Sequence, residues 1–192
     1  MLSIALTGSI GSGKSTVLRF LRQSGIPTID CDEIVSRLYR LPKFQKALKR
    51  EFGSAGKEKI AEIVFSDAKK RRKLQKILHP AVWSSAKKSL ARFRKAGKKA
   101  AVVEVPLLFE AGWQRRFCCA IVVFAPKKQC LKRLAMSGMP KKQAMQRLAS
   151  QSPIGEKVKK ASFLIDNSGS LRRTRKQVLL LAAALKACGS KS

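Results

Sequence analysis

The sequence predicts an α/β protein: a five-stranded parallel sheet flanked by helices, carrying an inserted helical module and a helical hairpin. Three observations point there. Short, almost wholly apolar runs recur along the chain, as strands covered on both faces require. Helical patterns alternate with these runs from end to end. The first run, "SIAL", enters a Gly-rich turn at Leu6-Thr-Gly-Ser-Ile-Gly-Ser-Gly-Lys-Ser-Thr16, and Val17, Leu18, Phe20 and Leu21 then follow on one helical stripe.

That first helix ends at Ser24-Gly25, after which "IPTID" predicts a short second strand that stops at Asp30-Cys31-Asp32. From Glu33 to Lys99 the pattern is helical, with five candidate helices separated by Pro42, Gly53, Gly56, Ser66-Asp67 and Pro80. A parallel sheet tolerates such an insertion because its crossovers lie outside the sheet. "AAVVEV" restores a buried strand, which Pro106 ends by removing a ladder donor. "CCAIVVFAP" is the fourth strand, and "KKQCLKRLAMSGMPKKQAMQRLASQ" a basic helical hairpin broken at Ser137-Gly138-Met139-Pro140. "ASFLIDNSG" is the last strand and "SLRRTRKQVLLLAAALKACG" the C-terminal helix.

The turn has the phosphate-binding pattern Gly8-x-x-x-x-Gly13-Lys14-Ser15. Its glycines let successive backbone N–H groups point at a β-phosphate, and the new helix brings its positive end to the same place. Lys14 supplies a compact charge for β- and γ-phosphates, and the Ser15 hydroxyl a ligand for Mg²⁺. In such sheets ligands sit at the carboxyl ends of the strands, where Asp30, Asp32 and Glu104 also fall. Residues two apart on an extended segment point the same way, so Asp30 and Asp32 can both face the γ-phosphate, one serving a hydroxyl nucleophile and another the metal. Alternatively, Asp30 caps the helix that begins at "EIVSRL".

Composition narrows the partners. The 192 residues, 45% apolar, suffice for one sizeable core with a small appended module. No apolar run approaches membrane-spanning length, and the chain opens on a strand rather than a basic, apolar leader, so the expectation is a cytoplasmic protein with no membrane partner. Five cysteines form no C-x-x-C pair and imply no metal cluster. Lys and Arg total 42 against 11 acids, a formal charge of +31, so most cations must face solvent or bind anions. These charges are spread along the chain with no separate basic tail, and aromatics are only 6%, so a nucleic-acid contact is the weaker expectation.

The ordered set "LTGSIGSGKST", "IDCDEI", "LHP", "VPLLFEAG", Gln129…Arg147…Gln151 and "FLIDNSGS" resembles the dephospho-CoA kinase family over almost the whole chain. The resemblance implies a P-loop kinase fold and ATP-dependent phosphorylation of the ribose 3′-hydroxyl of 3′-dephospho-CoA. It divides the chain into a kinase core (residues 1–33, 98–128 and 156–192), a helical CoA-side domain (34–97) and a mobile lid (129–155). By position, Asp32 matches the family's catalytic base, while Gly8, Gly11, Ser12, Gly13, Lys14, Ser15 and Thr16 match its nucleotide loop, with Ser15 on Mg²⁺. Asp30 or Glu104 would approach the metal through water. His79, Pro106, Leu107, Leu108 and Glu110 match the substrate side; Arg147, with Lys132 or Arg133, matches the lid cations that approach ATP; Asn167 falls near adenine.

The chain also departs from the pattern. Met136-Ser137 stands where family members place an Arg and an acid, Ala161-Ser162 replaces "AD", and Glu104 replaces an Asp. Arg133 is then the substitute lid cation, or the lid contributes less to rate. The alternatives are another small-molecule P-loop kinase with a nucleoside or nucleotide acceptor, and a basic nucleic-acid-binding ATPase. The expected state is a monomer or a small homo-oligomer.

Overall fold

The computed structural model describes residues 1–188, the side chains of residues 65 and 66 apart; residues 189–192, the end of the expected core segment, lie outside the described residues. Five strands, β1 (Leu2–Gly8), β2 (Thr28–Asp30), β3 (Ala100–Glu104), β4 (Cys119–Phe124) and β5 (Phe163–Asp166), form one sheet in the order β2-β3-β1-β4-β5. β1 pairs in parallel with β3, from Leu2 beside Ala100 to Leu6 beside Glu104, and with β4, from Ile4 beside Cys119 to Gly8 beside Val123. β4 pairs in parallel with β5 from Ile121 beside Phe163 to Phe124 beside Asp166. This register brings Gly8, Glu104, Phe124 and Asp166 to the same edge of the sheet, the edge where an α/β fold binds ligands.

Nine helices accompany the strands among the described residues: α1 (Lys14–Gln23), α2 (Cys31–Leu38), α3 (Pro42–Phe52), α4 (Lys57–Ser66), α5 (Ala68–Lys95), α6 (Lys127–Met136), α7 (Lys141–Ala149), α8 (Ile154–Lys159) and α9 (Leu171–Cys188). No helix among the described residues is long and apolar enough to cross a membrane. By backbone contact the chain forms two compact units, one of Met1–Ile29 with the segment from Leu90 onward, the other of Asp30–Ser89.

In the sheet-containing unit, Ile4, Leu6, Ile121 and Val123 bury one sheet face against Val17 and Leu21 of α1 and Val178 and Leu185 of α9. The apolar stripe read from the sequence on α1 is the stripe that is buried; Phe20 at its border is partly covered. The helical unit has its own small core of Leu48, Ile60 and Val64, against which Tyr39, Phe52, Leu74 and Ile77 pack. Lys73 Nζ, 2.5 Å from Glu51 Oε1, ties α5 to α3 at the surface.

The structure corrects three expectations. Pro80 does not separate two helices: α5 runs unbroken from Ala68 to Lys95 with Pro80 inside it. Proline removes one intrahelical donor there, but Leu78, Val82, Ala86 and Leu90, spaced four apart, are all buried and hold one stripe continuous across it. Asp30 and Asp32 do not share an extended segment, because α2 begins at Cys31 and places Asp32 in its first turn. Thirdly, the stretch between the basic hairpin and the last strand contains a further helix, α8; six residues starting after Pro153 are too short for a periodic signal.

Candidate active site

The phosphate loop occupies the bend between β1 and α1. Gly8 leaves the strand with φ 151°, and a Cβ there would lie 2.5 Å from Val123 O on β4. Gly13 caps α1 in the left-handed region, φ 94°, where a Cβ would lie 2.0 Å from Asn167 Nδ2. Only glycine satisfies both the backbone conformation and the close approach. We expect Gly13→Ala to lose about 2 kcal/mol of stability, from left-handed strain and a displaced hydrogen bond, read by denaturant titration. An unchanged midpoint would show that the loop relaxes freely.

Those neighbours hold the loop in shape. Asn167, 3% exposed and just beyond β5, donates from Nδ2 to Ser12 O at 2.7 Å and accepts at Oδ1 from Thr174 Oγ1 at 2.8 Å. Arg133 of α6 donates to Ser12 O at 3.2 Å and to Asn167 O at 2.8 Å. Gln151, after α7, accepts Ile10 N at 2.9 Å. The loop is thus braced from the β5–α9 turn, from α6 and from the end of α7. Lys14, 8% exposed, donates from Nζ to the carbonyls of Gly8 at 3.2 Å and Ser9 at 3.1 Å, which holds its charge over the loop. Ser15 follows with an exposed side chain in the first turn of α1, among the helix's unsatisfied donors.

The strand beside β1 contributes the next residues. Glu104, the last of β3, is 5% exposed and lies level with Leu6. Thr7 Oγ1 donates to Pro106 O at 3.2 Å, pinning the start of the following loop to β1. Leu108 is fully buried and Leu107 partly covered. Glu110 accepts Ser152 N at 2.8 Å and pairs at 2.8 Å with Lys157 Nζ of α8, a lysine with no exposed side-chain surface. Burial alone would raise the Glu110 carboxyl; hydrogen bonds from Lys157, its own backbone N–H and Ser152 outweigh that and hold it below its ordinary 4.5.

A cavity of about 450 Å³ opens between the phosphate loop at Ser9, Lys127 and Cys130 of α6, Met145 of α7, and Gln151. Arg147 sits half-buried on α7. Asp30, Asp32 and His79 belong to the helical unit. Asp30 caps α2, its Oδ1 accepting Asp32 N at 2.8 Å and Glu33 N at 3.1 Å, so the capping alternative holds. Asp32 has an exposed side chain, and its carbonyl accepts Ser36 Oγ at 2.9 Å. His79 lines an open cavity of about 390 Å³ on α5 with Arg72, Gln75, Lys76 and Pro80.

Sequence reasoning missed the bracing roles of Thr174 and Gln151 and the Lys157–Glu110 pair. Gln151 stands in a motif with no role attached, and Lys157 is one lysine among 42 basic residues, with nothing local to mark it as buried. For a metal, the described residues contain no group of three or more His, Cys, Asp or Glu close enough to form a cage. Mg²⁺ is usually held by one or two protein oxygens and the substrate's phosphates, and the exposed Ser15 hydroxyl in the first turn of α1 is an oxygen of that kind.

A five-stranded parallel sheet with a Gly-x-x-x-x-Gly-Lys-Ser loop after its central strand, braced by residues from a basic helical hairpin, defines a P-loop kinase. The family model described as dephospho-CoA kinase matches residues 2–173, and the chain belongs to that family. It is therefore a kinase, a phosphotransferase whose phosphate donor is ATP.

Individual similarities agree. A dephospho-CoA kinase of Symbiobacterium thermophilum is 40% identical over 98% of this chain and 82% of its own length. One of Aquifex aeolicus is 37% identical over 93% and 94%. Among solved structures, dephospho-CoA kinase from Campylobacter jejuni superposes with a TM-score of 0.70 at 27% identity, covering 97% of this chain and 98% of that one. A shikimate kinase from Bacteroides thetaiotaomicron, 16% identical with a TM-score of 0.50 over 96% and 98%, shares the fold alone.

Proposed function

We propose that this chain transfers the γ-phosphoryl group of ATP to the ribose 3′-hydroxyl of 3′-dephospho-CoA, giving CoA and ADP, the final step of coenzyme A biosynthesis. The observation that carries the proposal is the braced phosphate loop in a chain matched by the family model from residue 2 to residue 173. In this proposal residues 34–97 are the CoA-side domain, with His79 and its basic neighbours Arg72 and Lys76 on the side that meets substrate phosphates. Residues 129–155 are the lid, and the chain works in the cytoplasm as a monomer or small homo-oligomer.

Phosphoryl transfer asks for in-line geometry and charge neutralisation more than covalent help. The amides from Gly8 to Thr16 cradle the phosphates and Lys14 neutralises the β- and γ-oxygens. Arg147 approaches the transferring group from the lid, and Asn167 fixes the loop beside adenine. Ser15 would hold Mg²⁺ directly, with Glu104 or Asp30 through water, and the ion would supply charge neutralisation at the transferring phosphoryl group. Asp32, exposed in the first turn of α2, accepts the 3′-hydroxyl proton as general base. Pro106 and Leu107 line the acceptor, Leu108 packs beneath them, and Glu110 holds the loop.

The test is ADP release from Mg·ATP with 3′-dephospho-CoA, beside adenosine, AMP and single-stranded RNA. Turnover with dephospho-CoA alone is expected, and Asp32→Asn lowers kcat by about 10²-fold or more with the melting curve unchanged. Hydrolysis stimulated by RNA without dephospho-CoA turnover would overturn the acceptor; full activity in Asp32→Asn would remove Asp32 from the role of base.

A further inference from the structure

At the edge of the sheet opposite the phosphate loop, two thiols stand side by side. Cys118 and Cys119 lead into β4, with their Sγ atoms 3.7 Å apart. Cys118 is exposed and anchored to the start of β1: its backbone N–H donates to Ser3 O at 3.0 Å, and its thiol to the same oxygen at 3.1 Å. Cys119 is half-buried and paired with Ile4 across the ladder. Five strand steps from Ser3 to Gly8 put this pair roughly 17 Å from the phosphate loop. Of the other cysteines, Cys31 and Cys130 are buried and Cys188 is exposed.

Two sulfurs held this close on a rigid ladder form a pre-arranged chelate for a soft, thiophilic centre, because capture by one thiol presents the second at high effective concentration. Burial above all, then the charge and hydrogen bond of Cys118, pushes the Cys119 thiol up to about 12, so it stays protonated at neutral pH. Cys119 is therefore a poor attacking thiol in peroxide-driven disulfide formation, which runs through a thiolate. Condensation with a hydroxide bound to a trivalent centre consumes the thiol proton as water and needs no free thiolate at equilibrium.

We propose that Cys118 and Cys119 form a dithiol site that captures monosubstituted trivalent arsenicals, R–As(OH)₂. Two As–S bonds form and two As–OH bonds break. Each thiol proton leaves with a hydroxide as water, and arsenic remains trivalent throughout, so no oxidant or reductant enters.

The test uses the whole chain and phenylarsine oxide in millimolar glutathione, which displaces one-sulfur adducts. Intact mass is expected to show one arsenical per chain, removed by dimercaptopropanol, with two protein thiols lost per arsenical and peptide mapping placing both at Cys118 and Cys119. Cys118→Ser and Cys119→Ser each hold the arsenical at least about 100-fold more weakly, while Cys188→Ser binds as the parent does. Retention of tight capture in either single variant, or its loss in Cys188→Ser, would overturn the site. Should a serine variant fold poorly, thiol counting and peptide mapping on the unmutated chain decide alone: one thiol lost, or a different pair mapped, rejects the proposal.

Discussion

Lys14→Met is expected to reduce kcat for phosphoryl transfer by about 10³-fold while leaving the fold intact. The side chain is 8% exposed and its stem is packed, so an unbranched thioether of similar length fills the same volume. What disappears is the ammonium, which donates to Gly8 O and Ser9 O and stands where the β- and γ-oxygens must be neutralised. Charge developing at a transferring group in a site closed to water is stabilised far more by a positioned cation than by solvent. The measurement is steady-state kcat and KM for ATP, with thermal melting as the control for folding. A drop in ATP affinity with kcat preserved would mean that Lys14 only binds nucleotide. A collapse of the melting temperature would mean that its bonds to the loop carbonyls are structural.

The second large effect is on stability and comes from Glu110 and Lys157. Their pair links the loop after β3 to α8, and Ser152 N joins them from the segment that also carries Gln151. Removing one partner of an enclosed ion pair leaves the other uncompensated, and the two ends differ here. Lys157 has no exposed side-chain surface and makes no hydrogen bond besides this pair, whereas the side chain of Glu110 is 17% exposed and retains Ser152 N. Glu110→Gln is therefore the costlier change, about 3 kcal/mol, with Lys157→Met below it. The double variant recovers most of the loss, since no isolated charge remains.

The pH dependence has a definite sign. A carboxyl held below its ordinary 4.5 adds stability that is complete above that value and is lost as pH falls through its folded value. Denaturant midpoints measured downward from pH 6 should fall in the parent over this acid range, and less steeply in Lys157→Met. Identical acid limbs in the two proteins would show that the pair contributes nothing to the linkage.

The phosphate loop was legible because its chemistry is local. Two glycines, a lysine and a serine at fixed spacing dictate a turn and a helix start within a dozen residues, and the flanking apolar runs say that a strand precedes it. The three inner strands, β1, β3 and β4, were legible for a similar reason, since doubly covered strands have almost no polar positions; β5, whose Phe163 and Leu164 are exposed at the sheet edge, still reads as an apolar run. Pro80 misled because helix punctuation is also local, while the stripe from Leu78 to Leu90 that overrides it acts through burial. Asp30 and Asp32 misled through two residues of boundary: a strand ending at Asp30 instead of Asp32 converts two facing carboxylates into a cap and a first-turn acid. No pattern announced α8 or its buried lysine, because nothing near Lys157 distinguishes it from the many solvated lysines around it.

By itself the sequence determined the class of fold, the phosphate-binding loop and, through an ordered set of motifs, the family; each is written in residues adjacent along the chain. Only the tertiary structure decided what holds that loop in place, which carboxylate is consumed as a helix cap and which lysine is enclosed with a glutamate. Arg133, Gln151 and Asn167 bond loop residues 121 to 155 positions away, and no local propensity encodes a hydrogen bond across that separation. Such contacts are chosen when strands settle into register and bury their shared face, and the polar groups brought together then have no partners but one another.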